Sequence, residues 1–149
     1  MKEERYRKAV FIVVYRNEKN KIFYLVLKRK KHWVGWEFPK GGIEEKENLL
    51  KAVKRETFEE CGQFPIKIKR YNFSGKYKYK KKFEDRNGFI GQSFILFSAE
   101  VKNRNVKFDK KEHSYYRWLN FEEAIKKLTH KNQKKALKIV HEKISNKKV

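Results

Sequence analysis

The sequence predicts a mixed α/β sandwich folded as one domain over residues 1–149, with helices on both faces of a single sheet. Three observations carry this expectation. The chain is 149 residues long, the usual size of one domain and enough to bury roughly 68–70% of its unfolded surface. Its hydrophobic content is 39%, with 12 Phe, 8 Tyr and 3 Trp, while 7 Gly and 2 Pro leave little for linker sequence; disordered and collagen-like classes are thereby excluded. Local patterns run in the order strands, helix, strands, two helices, which is the order of a sheet covered on both sides.

Lys8 to Tyr15 and Ile22 to Lys28 are β-branched and aromatic runs separated by the polar segment Arg16 to Lys21, and read as two strands with a hairpin-like connection. From Asn48 to Cys61 the period changes. Leu50, Val53, Thr57 and Cys61 recur at helical spacing, with Asn48 suited to cap the start and Gly62 to stop the end. Strands return at Ile66 to Tyr71, Gly75 to Tyr79, Gln92 to Val101 and Tyr115 to Leu119, with a loop at Glu84 to Gly88. Asn120-Phe121-Glu122-Glu123 resembles a capping box and opens a helix with Phe121, Ala124, Ile125 and Leu128 inward. A last helix, about Lys131 to Ile144, places Leu137, Val140 and Ile144 inward and lysines outward.

Bulk numbers bound the function. The longest apolar runs, such as Ala9 to Tyr15, are about a third of the roughly 20 residues a membrane span needs, and Met1 to Lys8 is too polar for a signal peptide. A soluble cytoplasmic protein with no membrane partner is expected, and a monomer. One cysteine, Cys61, makes neither an internal disulfide nor a thiolate zinc site; its helical spacing turns it to the core. Lys and Arg number 40 against 18 Asp and Glu, a formal net charge of +22. Nucleic acid, a phosphate-rich small molecule and a plain solvated lysine surface all fit that charge.

Inside this basic chain lies an acidic island. Between Ile43 and Glu60 there are six acids, Glu44, Glu45, Glu47, Glu56, Glu59 and Glu60, against Lys46, Lys51, Lys54 and Arg55. Glu56, Glu59 and Glu60 stand at i, i+3 and i+4, so their carboxylates share one helical face and repel one another unless a cation neutralises them. Oxygen ligands at that density suit Mg²⁺ or Mn²⁺. A solvated acidic face paired with Lys51, Lys54 and Arg55 is the alternative.

The segment from Gly41 to Gly62 runs Gly41, five residues, Glu47, seven residues, Arg55-Glu56, two residues, Glu59-Glu60, one residue, Gly62. Seven specified residues at a background near 7% each meet by accident in a chain of this length on the order of once in a million. This spacing resembles the Nudix box, the signature of hydrolases that cut nucleoside diphosphates linked to another group. Thr57 and Gln63 stand where that pattern has bulky aliphatic residues, both at packing positions. Trp36-Glu37-Phe38-Pro39-Lys40-Gly41 before the box and Glu112-His113-Ser114-Tyr115-Tyr116-Arg117-Trp118-Leu119 after it resemble segments of the asymmetric diadenosine tetraphosphate hydrolases. Tyr79, 17 residues beyond Gly62, is close to where a tyrosine marks the dinucleoside polyphosphate branch.

This resemblance implies a Nudix-type α/β/α sandwich and a set of roles. Gly41, Glu56, Glu59, Glu60 and Glu112 are the implied metal site for Mg²⁺ or Mn²⁺. Glu59 is ligand or base, and Glu112 binds metal or takes the proton of the attacking water. Arg55 orients the glutamates, with Glu47 as its partner. Lys40, Trp36, Tyr79, His113 and Tyr116 are the implied substrate contacts, although His113 equally suits a structural role.

Aromatics in strands usually serve the core, yet Trp33, Trp36, Tyr77, Tyr79 and Phe83 are also able to stack on adenine. Lys76 to Lys82 alternates tyrosine with lysine at strand period, placing Tyr77 and Tyr79 on one face and Lys76, Lys78 and Lys80 on the other. That lysine face suits a polyphosphate, an RNA groove or water. Three function classes therefore stand. The first is a metal-dependent hydrolase of dinucleoside polyphosphates, giving ATP and AMP from the tetraphosphate. The second is a Nudix hydrolase of RNA 5′-triphosphate ends or ADP-ribose. The third is a nucleic-acid-binding module with a spent box, which the intact charged box positions disfavour.

Overall fold

The computed structural model describes residues 5–79 and 88–145. Seven strands and three helices follow in the order β1 (Tyr6–Glu18), β2 (Lys21–Arg29), β3 (Gly35–Glu37), β4 (Lys40–Gly42), α1 (Leu49–Cys61), β5 (Lys67–Lys78), β6 (Gly91–Glu100), β7 (His113–Leu119), α2 (Phe121–Lys127) and α3 (Lys131–Ser145). The expected loop at Glu84 to Gly88 lies outside the described residues except for Gly88, and Lys80 and Phe83 lie outside them too.

The strands form one mixed sheet of order β3-β2-β1-β6-β5, with β4 beside β1 and β7 beside β2. Only β1 and β6 among these pairs run parallel. β1 is apolar on both faces because both are covered. Phe11, Val13 and Tyr15 point into one core with Ala124, Leu128, Leu137 and Val140 of the α2–α3 side. Val10, Ile12 and Val14 point into a second core with Ala52, Val53 and Cys61 of α1. The expected α/β/α sandwich is present. No helix among the described residues is long and apolar enough to cross a membrane.

Four expectations need correction. The first hairpin turn is only Lys19-Asn20, both at positive φ (49° and 66°), as a two-residue hairpin with matched strand twist requires, so both strands are longer than their apolar runs. The two strands expected at Ile66–Tyr71 and Gly75–Tyr79 are the single β5, whose register against β6 shifts between Arg70 and Ser74; the bulge there imitates a break. Leu50 is 49% exposed, and its neighbour Leu49 packs against the α1-side core instead. Ile144 is only partly buried, at the rim of the other core.

The caps are where the sequence puts them. The Asn48 side chain accepts from Lys51 N, and Gly62 closes α1 at φ 78° with its N–H on Phe58 O, a left-handed position that glycine adopts without strain. The two box positions lacking bulky aliphatics satisfy themselves locally. Buried Thr57 donates to Val53 O at 2.7 Å, and Gln63 pairs with the backbone of Asn103 through both ends of its amide.

β1 and β2 splay apart beyond their hairpin. β1 pairs with β2 over Tyr15–Glu18 but with β4 over Ala9–Phe11, while the far half of β2 pairs with β7 and β3. The chain crosses this split at Phe38-Pro39, fixed by Phe38 N–H to Gln133 Oε1 of α3 and by Ile12 N–H to Pro39 O. Because α3 supplies both that bond and the apolar cover, Leu137→Ala is expected to cost about 2–5 kcal/mol, measured as a loss of urea unfolding free energy at unchanged slope.

Candidate active site

α1 buries Ala52, Val53, Glu56, Thr57, Glu60 and Cys61, so two glutamates of the acidic island lie on its inner face. They are not paired with Lys51 or Lys54. Arg55 lies over them: its Nε and Nη2 grip Glu47 at 2.8 and 2.9 Å, its Nη1 reaches Glu56 at 2.7 Å and Glu59 at 3.2 Å, and Nη2 also bonds Gly42 O at 2.8 Å. The expected pairing of Arg55 with Glu47 is thus present. Hydrogen bonding from Arg55 holds the Glu47 carboxyl down at about 2. Gly41 abuts Glu56 so closely that a Cβ there would overlap its carboxylate.

The β3–β4 crossing faces this helix. Glu37, 0% exposed, accepts from Arg29 Nη1 at 2.9 Å and from His113 Nε2 at 2.8 Å on one oxygen, and faces Lys40 Nζ at 3.4 Å with the other. Burial alone would raise the Glu37 carboxyl, but the charges of Lys40 and Arg29 and the His113 hydrogen bond outweigh it and hold it at about 2. His113 Nδ1 in turn lies 3.1 Å from Glu60 Oε2. Glu112 precedes His113, and its backbone carbonyl accepts from Lys30 N and Lys31 N, which ties the β7 entry to the end of β2.

A small cleft of about 70 Å³ results. Glu56, Glu59, Glu60 and Glu112 line it with Gly41 and Lys40, and so do Arg7, Arg29, Gln92 and Asp109. Ligand atoms of Glu60, Glu112 and His113 lie within 4.8 Å of one another. Glu60 Oε2 is buried with no hydrogen-bond donor aligned on it, and burial pushes Glu60 upward and Glu56 up to about 8. A buried carboxylate oxygen that lacks a donor, beside a second buried carboxylate and a glycine cradle, fits a hard divalent cation. Glu59 differs, its side chain half exposed and held only by Arg55.

Lys40, Gly41 and the expected acids therefore meet at one place. Four expected substrate contacts do not line the cleft. His113 is 1% exposed and lies between Glu37 and Glu60, a placement that suits the structural one of its two expected roles. Trp36 packs on the α2–α3 side, with Lys127 Nζ 4.8 Å from its ring centroid. Tyr116 packs beside Phe108 in the α1-side core. Tyr79 stands one bond away, 3.3 Å from Gln92 Oε1. Lys40 Nζ sits between the rings of Trp33 and Tyr77, 6.0 and 5.6 Å from their centroids. Arg7, Arg29, Glu37, Gln92 and Asp109 escaped the sequence reading; the available signal was Glu37, an acid inside an otherwise apolar Trp-x-Phe-Pro segment. Cys61 is buried, and burial pushes its thiol up, so it is no nucleophile.

A buried acidic cluster on one helix, bridged by an arginine and facing a glycine loop, has the donor set that a divalent cation would take. The NUDIX domain model matches residues 5–140, and the chain belongs to that family. It is 32% identical to the asymmetrical bis(5′-nucleosyl)-tetraphosphatase of Mus musculus over 108 residues, 72% of this chain and 70% of that one. An RNA pyrophosphohydrolase of Bartonella bacilliformis is 27% identical over 92% of this chain and 91% of its own. The 8-oxo-dGTP diphosphatase of a Buchnera aphidicola strain is 45% identical over 67 residues; the chain spans about half the length of that relative, with 49% covered. The fold superimposes on a crystal structure of a C. elegans Ap4A hydrolase binary complex with TM-score 0.76 at 24% identity, covering 94% of this chain and 98% of that one.

The raised carboxyls give a pH dependence to the metal-free protein. In the unfolded chain Glu56 releases its proton near 4.5, whereas the native site holds it to about 8. The native state thus binds more protons across that window, and stability is lost as pH rises through it. The melting temperature in EDTA is expected to fall between pH 5 and about 8, and Mg²⁺ or Mn²⁺ to raise it more at the alkaline end, where the ligands are charged. Equal metal-induced shifts in thermal scans at pH 5.5 and about 8 would contradict this.

Proposed function

We propose that this chain is a divalent-metal-dependent hydrolase of phosphoanhydride bonds in dinucleoside polyphosphates, with diadenosine tetraphosphate converted by water to ATP and AMP. The observation that carries the proposal is the convergence of Glu56, Glu60 and Glu112 on one cleft rimmed by Lys40, together with the similarity to the mouse tetraphosphatase. Glu56 and Glu60 would hold Mg²⁺ or Mn²⁺, which would supply screening of the polyphosphate charge and acidification of a water. Arg55 keeps Glu56 aimed at the cleft. Lys40 neutralises a substrate phosphate, and Trp33 and Tyr77 on either side of it offer faces to a base. Glu112 takes the proton of the attacking water: it lines the cleft from outside α1, whereas Arg55 already engages Glu59.

A second reading, removal of pyrophosphate from RNA 5′ ends, is favoured by the net charge of +22 and by similarity to RNA pyrophosphohydrolases. Salt separates the two. A dinucleotide engages few cations, so kcat/KM should change modestly from 50 to 200 mM salt. An RNA making 6–10 phosphate contacts should lose roughly 10³–10⁵ in affinity over that range. Fast cleavage of a 5′-triphosphorylated oligonucleotide that collapses with salt, with the dinucleotide barely hydrolysed at either salt, would replace the first reading by the second.

Side-chain roles are tested separately. Hydrolysis is expected to stop in EDTA, and Glu60→Gln to lose several orders of magnitude in kcat with the fold retained. Glu112→Gln is expected to lower kcat by about 10²-fold or more. An unchanged kcat in Glu112→Gln would remove that residue from the chemistry.

A further inference from the structure

We propose that Glu37 is a positioning residue for both halves of the site, fixing the carboxylate of Glu60 through His113 and aiming Lys40 at the substrate phosphate through its second oxygen. The inference rests on the metal-binding reading of Glu60 given above. Glu37 lies on the three-residue β3 and is fully buried. Its partners come from three other strands: Arg29 of β2, His113 of β7 and Lys40 of β4. A carboxylate gripped from three directions cannot turn without stranding a buried charge, so its orientation is fixed by the whole split sheet.

That rigidity passes on in two directions. With Nε2 held by Glu37 at 2.8 Å, the His113 ring cannot flip, and Nδ1 is presented to Glu60 Oε2 at 3.1 Å. Neither Glu60 Oε2 nor His113 Nδ1 has an aligned hydrogen bond, so the ligand oxygen meets this ring edge by proximity and charge, and a fixed ring fixes what the oxygen faces. On the other side, Glu37 Oε1 is 3.4 Å from Lys40 Nζ and has no aligned hydrogen bond of its own; it holds Lys40 by charge, at the cleft wall beside the Tyr77 hydroxyl. One cation is enough to neutralise Glu37. It has Arg29 and Lys40, both lining the cleft, and His113, which touches the ligand Glu60, a convergence that a purely structural ion pair does not explain. Outer groups that orient metal ligands typically carry 10–100-fold in metal affinity.

Mn²⁺ titration followed by the paramagnetic resonance of free Mn²⁺ reads metal affinity without turnover. Glu37→Gln should weaken Mn²⁺ binding about 10–100-fold and also raise KM for diadenosine tetraphosphate at saturating metal. His113→Gln should reproduce the metal loss alone. Lys40→Met should raise KM alone, with Mn²⁺ affinity as in the unmodified protein. A merely structural network would lower the melting temperature of all three without dividing the two effects. If Glu37→Gln does not fold, the two single-arm variants carry the test, and unaltered Mn²⁺ affinity in His113→Gln overturns the proposal. So does a folded Glu37→Gln with both constants unaltered. An unmodified protein that binds no Mn²⁺ would overturn the metal reading itself and the inference with it, a result distinct from the other two.

Discussion

The constraint on which this structure depends is the burial of Glu37, Glu56 and Glu60 within one corner of an 18.2 kDa protein. A buried carboxylate costs several kcal/mol unless a cation or a set of donors replaces its water. Each is answered differently. Glu37 has Arg29, His113 and Lys40 and is held ionised; Glu56 has Arg55 on one oxygen; Glu60 has only the edge of His113. The gradient from fully to barely compensated runs toward the cleft, where the missing positive charge is the one a divalent ion would bring. The same gradient explains why Glu37 is depressed while Glu56 and Glu60 are raised.

The fold serves this arrangement through the split between β1 and β2. A continuous pairing of the two strands would leave no gap for the Phe38-Pro39 crossing. Without that crossing, neither Glu37 nor Lys40 and Gly41 would face α1. Arg55 closes the other side by bonding Gly42 O, Glu47 and Glu56 at once, so loop, helix entry and inner helix face move as one body. Catalytic geometry thus rests on regular elements, with the loop before α1 clamped at both ends.

Much of this was legible in the sequence, and the limits are physical. β1, β2 and β6 stand out because long apolar runs have a clear period, and α1 because its caps and spacing agree. The strands β3 and β4 are three residues each, too short for any period, and β5 is interrupted by a bulge. Glu56, Glu60 and Arg55 are legible because one helix carries their spacing, and Glu47, in the loop before it, because of its fixed distance from Arg55. The sequence leaves His113 between a substrate contact and a structural role, because its burial depends on Glu37, 76 residues away. Glu37 carries one weak signal, an acid in an apolar segment, while its three partners come from three other strands that only the fold brings together.

The surface charge and the acidic cleft have opposite signs, and that opposition has a use in the proposed reaction. A polyphosphate approaching a chain of net charge +22 is drawn in over roughly a Debye length, about 8–10 Å at physiological salt, yet it would meet repulsion at the carboxylates themselves. Arg7, Arg29 and Lys40 at the cleft wall soften that last step, and divalent cations held by the glutamates reverse it. Discrimination between one polyphosphate and another must then arise outside the cluster, because the glutamates see only phosphate and water. The residues placed to do it are the ones α1 does not supply: Trp33 and Tyr77 around Lys40, and Gln92 with Tyr79 at the β6 edge. These come from strands and loops outside α1, so a change of base or chain length at that end leaves the carboxylate cluster undisturbed.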